Sequence, residues 1–289
     1  MSDSDDPGTR GGAGFGGLPV HRPGSALTPY VRSMTAYDMA GVEVVHHGVP
    51  SPDLTVILAL GRPLTVGWTA DRAQGREFHG LVSGLHDGPA FIFPTADHAG
   101  VQLAVTPLGA RALVGLPAGA IAAGLVDLDD LWAGVAAELI EALHDCRTWP
   151  ERFARIETTL RTRLQGDDSI RPELMWAWDR IVAGAVPATG ALADEIGWSR
   201  GYFARVFAAE YGLKPKETVR VARFSRARIA LGRPGASLAD VAAQCGYADQ
   251  AHLTREWRRL AGCTPSGWRQ EVSSFVQDDP RTATAASTT

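Results

Sequence analysis

The sequence predicts an α+β protein, with a strand-rich barrel followed by helices in the N-terminal half and an all-α C-terminal domain holding two helix-turn-helix units. Three observations predict it. Short apolar runs punctuated by Gly, Pro and Asp occupy residues 42–105, the spacing of a small antiparallel barrel or sandwich. From Leu108 onward, apolar residues recur at steps of three and four, the period of an amphipathic helix. Two late stretches, "LADEIGWSRGYFARVFAAEYG" from Leu192 and "SLADVAAQCGYADQAHLTREWRRLAGCTPSGWR" from Ser237, share one plan. Each runs from a short helix through a glycine turn and a polar N-cap into a longer helix.

The chain opens on "MSDSDDPGTRGGAGFGGLPVHRPG", acidic and Gly-rich with no apolar core. It reads as a disordered segment over residues 1–25 and not as a signal peptide. Strands are expected at Val42 to His47, Leu54 to Leu60, Glu77 to Ser83, Ala90 to Phe93 and Val101 to Val105. Helical turns follow around Leu108 to Val114. Asp129 to Cys146 reads as one helix, with Leu131, Val135, Leu139, Ala142 and Cys146 on a stripe widened by Trp132, Ala136 and Leu143. Thr148 and Glu151 make a capping box, with Pro150 in the first turn, for a helix carrying Phe153, Ile156, Leu160 and Leu164. Gln165 to Ser169 is the expected linker. The next helix, about Arg171 to Val182, turns Met175, Trp178 and Ile181 inward.

In the first helix-turn-helix unit, Leu192, Ala193 and Ile196 form the inner stripe, Gly197 turns the chain and Ser199 caps the longer helix. Phe203, Val206, Phe207 and Tyr211 are its buried side. Its outward face is Gly201, Tyr202, Ala204, Arg205 and Ala208, with Arg200 at the N-terminal end. In the second unit, Ser237 and Asp240 start the short helix, Gly246 ends it and Asp249 caps the longer one. Leu253, Trp257 and Leu260 face inward; Gln250, Ala251, His252, Arg255, Arg258 and Arg259 face out. An apolar back and a front of Arg and Gln suit base edges and phosphates. Arg255, one turn into its helix, is expected at base edges, and Arg258 and Arg259 at phosphates. Pro215 to Leu231 reads as one rigid helix between the units. It would set two recognition helices in successive major grooves, about 34 Å apart.

Charge is unevenly distributed. Residues 186–273 hold thirteen Lys or Arg against eight Asp or Glu, a net +5 inside a chain of net −4. Basic surface confined to one region is a phosphate-binding footprint. The 289 residues suggest two domains, 26–165 and 168–273, the second holding the helix-turn-helix units, with a second disordered tail at 278–289. No apolar run reaches membrane-spanning length. Cys146, Cys245 and Cys263 form no pattern, which suits a reducing cytoplasm.

The stretches "LADEIGWSRGYFARVF", "RFSRARIAL" and "DVAAQCGYADQAHLTREWRRLAGCTPSGWR" together resemble the AraC/XylS-type transcriptional regulators, over roughly Arg171 to Glu271. The resemblance implies a seven-helix domain touching DNA through Gly201, Ala204, Arg205, Gln250, Ala251, His252 and Arg255. The small residues at Gly201 and Ala204 depart from the polar or aromatic types of some members, so the first unit is expected to position more than to specify. "GVQLAVTPLGARALVGLP" with "VDLDDL" is similar to a cupin-like sensor half of one subgroup, which implies no particular effector.

Those readings make the chain a cytoplasmic, nucleoid-associated regulator, an activator or a repressor. Its partners are double-stranded DNA, an unknown small-molecule effector, RNA polymerase and a second copy of itself, with no membrane partner. The dimer seam would be the helix offering Trp132 or Ile140, or that of Phe153 to Leu164. No catalytic residue, metal ligand or cofactor is assigned. His46, His47, Glu77, His79, His86 and His98 lack a recognised metal spacing and read as loop and surface residues, although Glu77 and His79 would share a strand face. Two alternatives stay open: an N-terminal half that binds a protein partner, and a cupin-type metalloenzyme fused to a DNA-binding domain. A pocket lined by Trp68, Phe78, Phe91 or Phe93 would favour the small-molecule sensor.

Overall fold

The computed structural model describes residues 18–38, 45–95, 98–164, 169–185 and 189–274. Residues 165–168 of the expected 165–169 linker, the tail at 278–289, and residues 42–44 of the first expected strand lie outside the described residues. So does most of the 1–25 segment, but Val20–His21 (β1) pairs with the next strand, so order begins before residue 26.

The strand-rich half is two antiparallel sheets. The six-stranded sheet runs β1, β2 (Val31–Asp38), β9 (Ala99–Val105), β4 (Leu54–Ala59), β7 (Gly80–Ser83), β10 (Leu125–Asp127). The four-stranded sheet runs β3 (His46–Gly48), β8 (Ala90–Phe93), β5 (Leu64–Gly67), β6 (Arg76–Phe78). Three expectations need correction. β1, β2, β5 and β10 were not anticipated. β2 buries Val31, Met34, Ala36 and Tyr37 together with Ser33 and Thr35, so no polar alternation marks it. The run Glu77 to Ser83 is two strands in different sheets, because the chain changes sheet at His79. Glu77 and His79 are therefore not alternate residues of one strand.

Short turns follow: α1 (Pro107–Gly109), a π-helical turn Ala110–Val114 and a 3₁₀ turn Ala118–Ile121. The single helix expected over Asp129 to Cys146 is two, α2 (Leu128–Trp132) and α3 (Val135–His144). Ala133 at φ 51° and Gly134 at φ 87° break it, while the Asp129 carboxylate accepts the Ala137 N–H. Trp132 and Ile140 are buried inside the chain, Trp132 donating its indole N–H to the Leu113 carbonyl at 3.0 Å, so neither is offered to a partner. α4 (Trp149–Arg163) starts at the expected Thr148–Glu151 capping box.

Seven helices make up the described C-terminal region: α5 (Pro172–Ala183), α6 (Thr189–Glu195), α7 (Arg200–Tyr211), α8 (Pro215–Leu231), α9 (Leu238–Gln244), α10 (Gln250–Ala261) and α11 (Pro265–Ser274). In α5 the inward residues are Leu174, Ala177, Trp178 and Ile181. Met175, expected inward, is exposed. One contiguous set of buried residues runs from Leu27 in the strand-rich half through α5, α6 and α7 to Ala222, joined by Trp178 stacked on Tyr211 at 4.2 Å. The second helix-turn-helix unit has its own core, Trp257 packed edge-on between Phe224 and Trp268.

Candidate nucleic-acid interface

Each unit is built by its caps and its glycine turn. Ser199 accepts the Tyr202 N–H and Asp249 accepts the His252 N–H, so each longer helix starts at the residue the sequence marks. Gly197 (φ 72°) and Gly246 (φ 76°) take the left-handed conformation that an L side chain resists. Phe203, Phe207 and Tyr211 bury one side of α7, and Leu253, Trp257 and Leu260 bury one side of α10.

The opposite sides carry the nominated residues. On α7, Arg200, Gly201, Tyr202 and Arg205 are exposed and Ala204 is half-buried. A Cβ at Gly201 would meet nothing within 4 Å. Arg205 lies over the Tyr202 ring, and Tyr202 packs edge-on to Trp198, so an aromatic pair holds the guanidinium in place. Arg200 reaches Asp194 at 3.4 Å in the open.

On α10, Gln250, Ala251, Arg255, Arg258 and Arg259 are exposed. His252 turns back on its own helix start: its Nδ1 accepts the Ala248 N–H at 3.3 Å and its ring meets Tyr247 edge-on. Arg259 donates to the Asp87 carboxylate at 2.6 Å, a contact with the strand-rich half that the sequence did not signal. Arg255 and Arg258 thus form the outward basic pair. α8 lies against both units. Its Phe224 packs on Trp257, its Arg223 approaches Glu256 at 3.7 Å, and its Arg226 donates to the Val182 carbonyl at 3.0 Å.

A cavity of about 120 Å³ lies between the two sheets. Its six-stranded wall is one face of paired residues: Ser33 opposite Ala104, Thr35 opposite Gln102, Thr55 opposite Ser83, Ile57 opposite Leu81. Leu64, Val66, Ala90 and Ile92 line the other wall. The Ser83 hydroxyl is buried there with no hydrogen-bond partner. At the mouth, Arg32 makes a two-pronged pair with Asp53, at 2.7 and 2.9 Å. Ser225 and Arg228, both on α8, complete the lining. None of Trp68, Phe78, Phe91 or Phe93 lines it. Phe78 and Phe93 are core, and Trp68 stands outside against His86. The signal available in the sequence was instead the hydroxyls and amide at alternate strand positions, which share a face.

Histidines expected on the surface are in part buried. His46 is 5% exposed and His98 3%. Burial pushes His46 down to about 4, helped by the adjacent His47. Burial also lowers His86 and His98. Glu77 and His79 line an open cleft with Asp127, Asp129, Glu141 and His144. Among the described residues no three His, Cys, Asp or Glu side chains are grouped to hold a metal ion.

A family model described as a helix-turn-helix domain matches residues 192–271. Residues 192–271 thus form a helix-turn-helix domain. Over 76 residues the chain is 33% identical to the HTH-type transcriptional regulator ExsA of Pseudomonas aeruginosa, covering 26% of this chain and 27% of that protein. Over 121 residues it is 28% identical to the transcriptional activator RhaS of Escherichia coli, covering 42% of this chain and 43% of that one. The matched segments therefore span between about a quarter and less than half of these relatives. The fold likeness reaches further. The solved structure of unsaturated fatty acid bound wild-type ToxT from Vibrio cholerae superimposes with a TM-score of 0.51 at 11% identity, covering 89% of this chain and all of that one. The helix-turn-helix domain and the strand-rich half that precedes it thus share the fold of that structure. No helix among the described residues is long and apolar enough to cross a membrane.

Proposed function

We propose that this protein is a sequence-specific DNA-binding transcriptional regulator whose affinity for DNA responds to a small molecule held between its two sheets. The observation that carries this reading is the double role of α8. The helix that joins the two units also lines the cavity through Ser225 and Arg228. An occupant that prefers one position of α8 shifts the relation of the recognition helices, and only such a preference can couple the sites. Residues 26–165 act as sensor and dimerisation region and 168–273 as the DNA-binding domain. Gln250, Ala251 and Arg255 read bases. Arg200, Arg205 and Arg258 hold the backbone, and Gly201, Tyr202, Ala204 and His252 pack alongside. Double-stranded DNA, RNA polymerase and a second copy of the chain are its macromolecular partners, at the nucleoid in the cytoplasm, and it turns over no substrate.

ToxT holds an unsaturated fatty acid. The cavity here, about 120 Å³, is near the volume that accepts a benzene ring, about 150 Å³, and its six-stranded wall carries the hydroxyls of Ser33, Thr35, Thr55 and Ser83 and the Gln102 amide. Its occupant is a compact molecule with several hydrogen-bonding groups. The test is binding-site sequencing across the genome of origin. We expect discrete promoter-proximal sites sharing a motif with half-sites about one helical turn apart. Signal spread evenly over the genome would refute sequence-specific regulation. The genes beside the sites supply the metabolites to screen by thermal shift.

A further inference from the structure

Asp87 sits in the loop between β7 and β8, and that loop faces two ways. On one side His86 lines the cavity, its Nδ1 2.6 Å from the Gly88 carbonyl and its ring edge-on to Trp68. On the other side the Asp87 carboxylate accepts from Arg259 of α10 at 2.6 Å and lies 3.5 Å from Arg220 of α8. The same surface seats the end of the recognition helix. Gly262, the left-handed C-cap of α10, lies so close to His47 and Pro89 that a Cβ there would meet them at 3.1 and 3.3 Å, and Val49 packs on the core of the second unit.

A carboxylate and a phosphate are alternative anions for one guanidinium. While Asp87 holds Arg259, one amino group of that arginine is occupied and its charge is already partly offset before a DNA phosphate arrives. The carboxylate also repels any phosphate brought to it. We propose that Asp87 is an internal competitor for DNA, which withholds Arg259 and Arg220 from the duplex until the loop moves. The inference rests on the reading of α10 as a DNA-contacting helix and adds its regulation. Because His86 lines the cavity one residue away, the loop that lets go of Arg259 is also cavity wall. An occupant that displaces His86 displaces Asp87 with it. The contact is a part-exposed ion pair, so its effect is graded and salt-sensitive.

The test uses the full-length chain and a fluorescein-labelled random-sequence duplex long enough for two successive major grooves, read by anisotropy over a series of salt concentrations. Asp87→Asn should bind about 3- to 10-fold more tightly than wild type at low salt. Its slope of log affinity against log salt should steepen by about one, the signature of one more neutralised phosphate. Asp87→Glu, which keeps the charge, should stay near wild type. In the Asp87→Asn/Arg259→Ala double variant the gain should vanish, the coupling expected of a contacting pair. Equal affinity and equal slope for Asp87→Asn and wild type would overturn the competition while leaving DNA binding in place. A gain that survives Arg259→Ala would overturn the Arg259 contact as its cause. Failure of every variant to bind any duplex would overturn this inference together with the reading beneath it.

Discussion

Arg255 and Arg258 both stand on the open side of α10, but at different depths along it. Arg255 lies in the N-terminal half of the helix, where recognition helices approach base edges, and Arg258 lies in the last turn. Arg255→Ala should cost about 1–3 kcal/mol at one base position and relax specificity there, while Arg258→Ala should weaken binding evenly across sequences. Affinity measured over a set of single-base variants of the bound site distinguishes the two. Equal, sequence-independent losses would reverse the assignment. His46 supplies a second prediction at this scale. Its folded value of about 4 lies below the ordinary histidine value of about 6.5. On acidification the unfolded chain takes up the proton first. The stabilisation is therefore complete above the unfolded value and is lost as pH falls toward 4. Each pH unit in that window removes up to about 1.4 kcal/mol per such group. His86 and His98 shift the same way. Unfolding free energy from denaturant titrations should drop by about 2 kcal/mol or more between pH 7 and 5. A flat profile would contradict the burial of His46.

The break between α2 and α3 is the clearest element that apolar periodicity misses. The apolar steps run on from Leu131 to Leu143, and nothing in a hydrophobic stripe forbids a continuous helix. What interrupts it is a pair of left-handed residues, one of them Ala133, where an L side chain costs about 1–2 kcal/mol. The turn brings Trp132 into the core against Leu113 and lets Asp129 cap the next helix. Ala133 is exposed, so Ala133→Gly removes strain without removing a contact and should raise stability by about 1 kcal/mol in thermal or denaturant unfolding. A loss of stability would show that the methyl group is needed. α7, α8 and α10 behave differently. Their caps, turns and stripes agree at every level, and they lie where the sequence places them.

At the scale of the whole molecule, the strand-rich half and the first helix-turn-helix unit are one packed body. Arg111 of the π-helical turn makes a two-pronged pair with Glu210 of α7, at 2.7 and 2.6 Å. The 3₁₀ turn beside it lies flat on the end of the same helix. A Cβ at Gly119 would collide with the Ala209 carbonyl, and one at Gly212 with the Ala122 methyl. Gly119→Ala should therefore lower stability by about 1–3 kcal/mol, the range of overpacked contacts. It should also split a single thermal transition into two. An unchanged single transition would mean that this contact does not hold the halves together.

By itself the sequence determined the helical C-terminal region, because caps, glycine turns and three-four periodicity are local and reinforce one another within a few residues of chain. Ser199, Gly197, Asp249 and Gly246 announce their elements without reference to anything distant. It also determined the outward basic faces of α7 and α10, which follow from the same periodicity. The tertiary structure alone decided the rest. β2 is buried on both sides and carries no alternating signal. The cavity exists only where alternate residues of strands from two sheets meet. Asp87 reaches Arg259 across 172 positions of chain. Pairings of that kind depend on how remote segments close upon each other, and a local pattern holds no record of them.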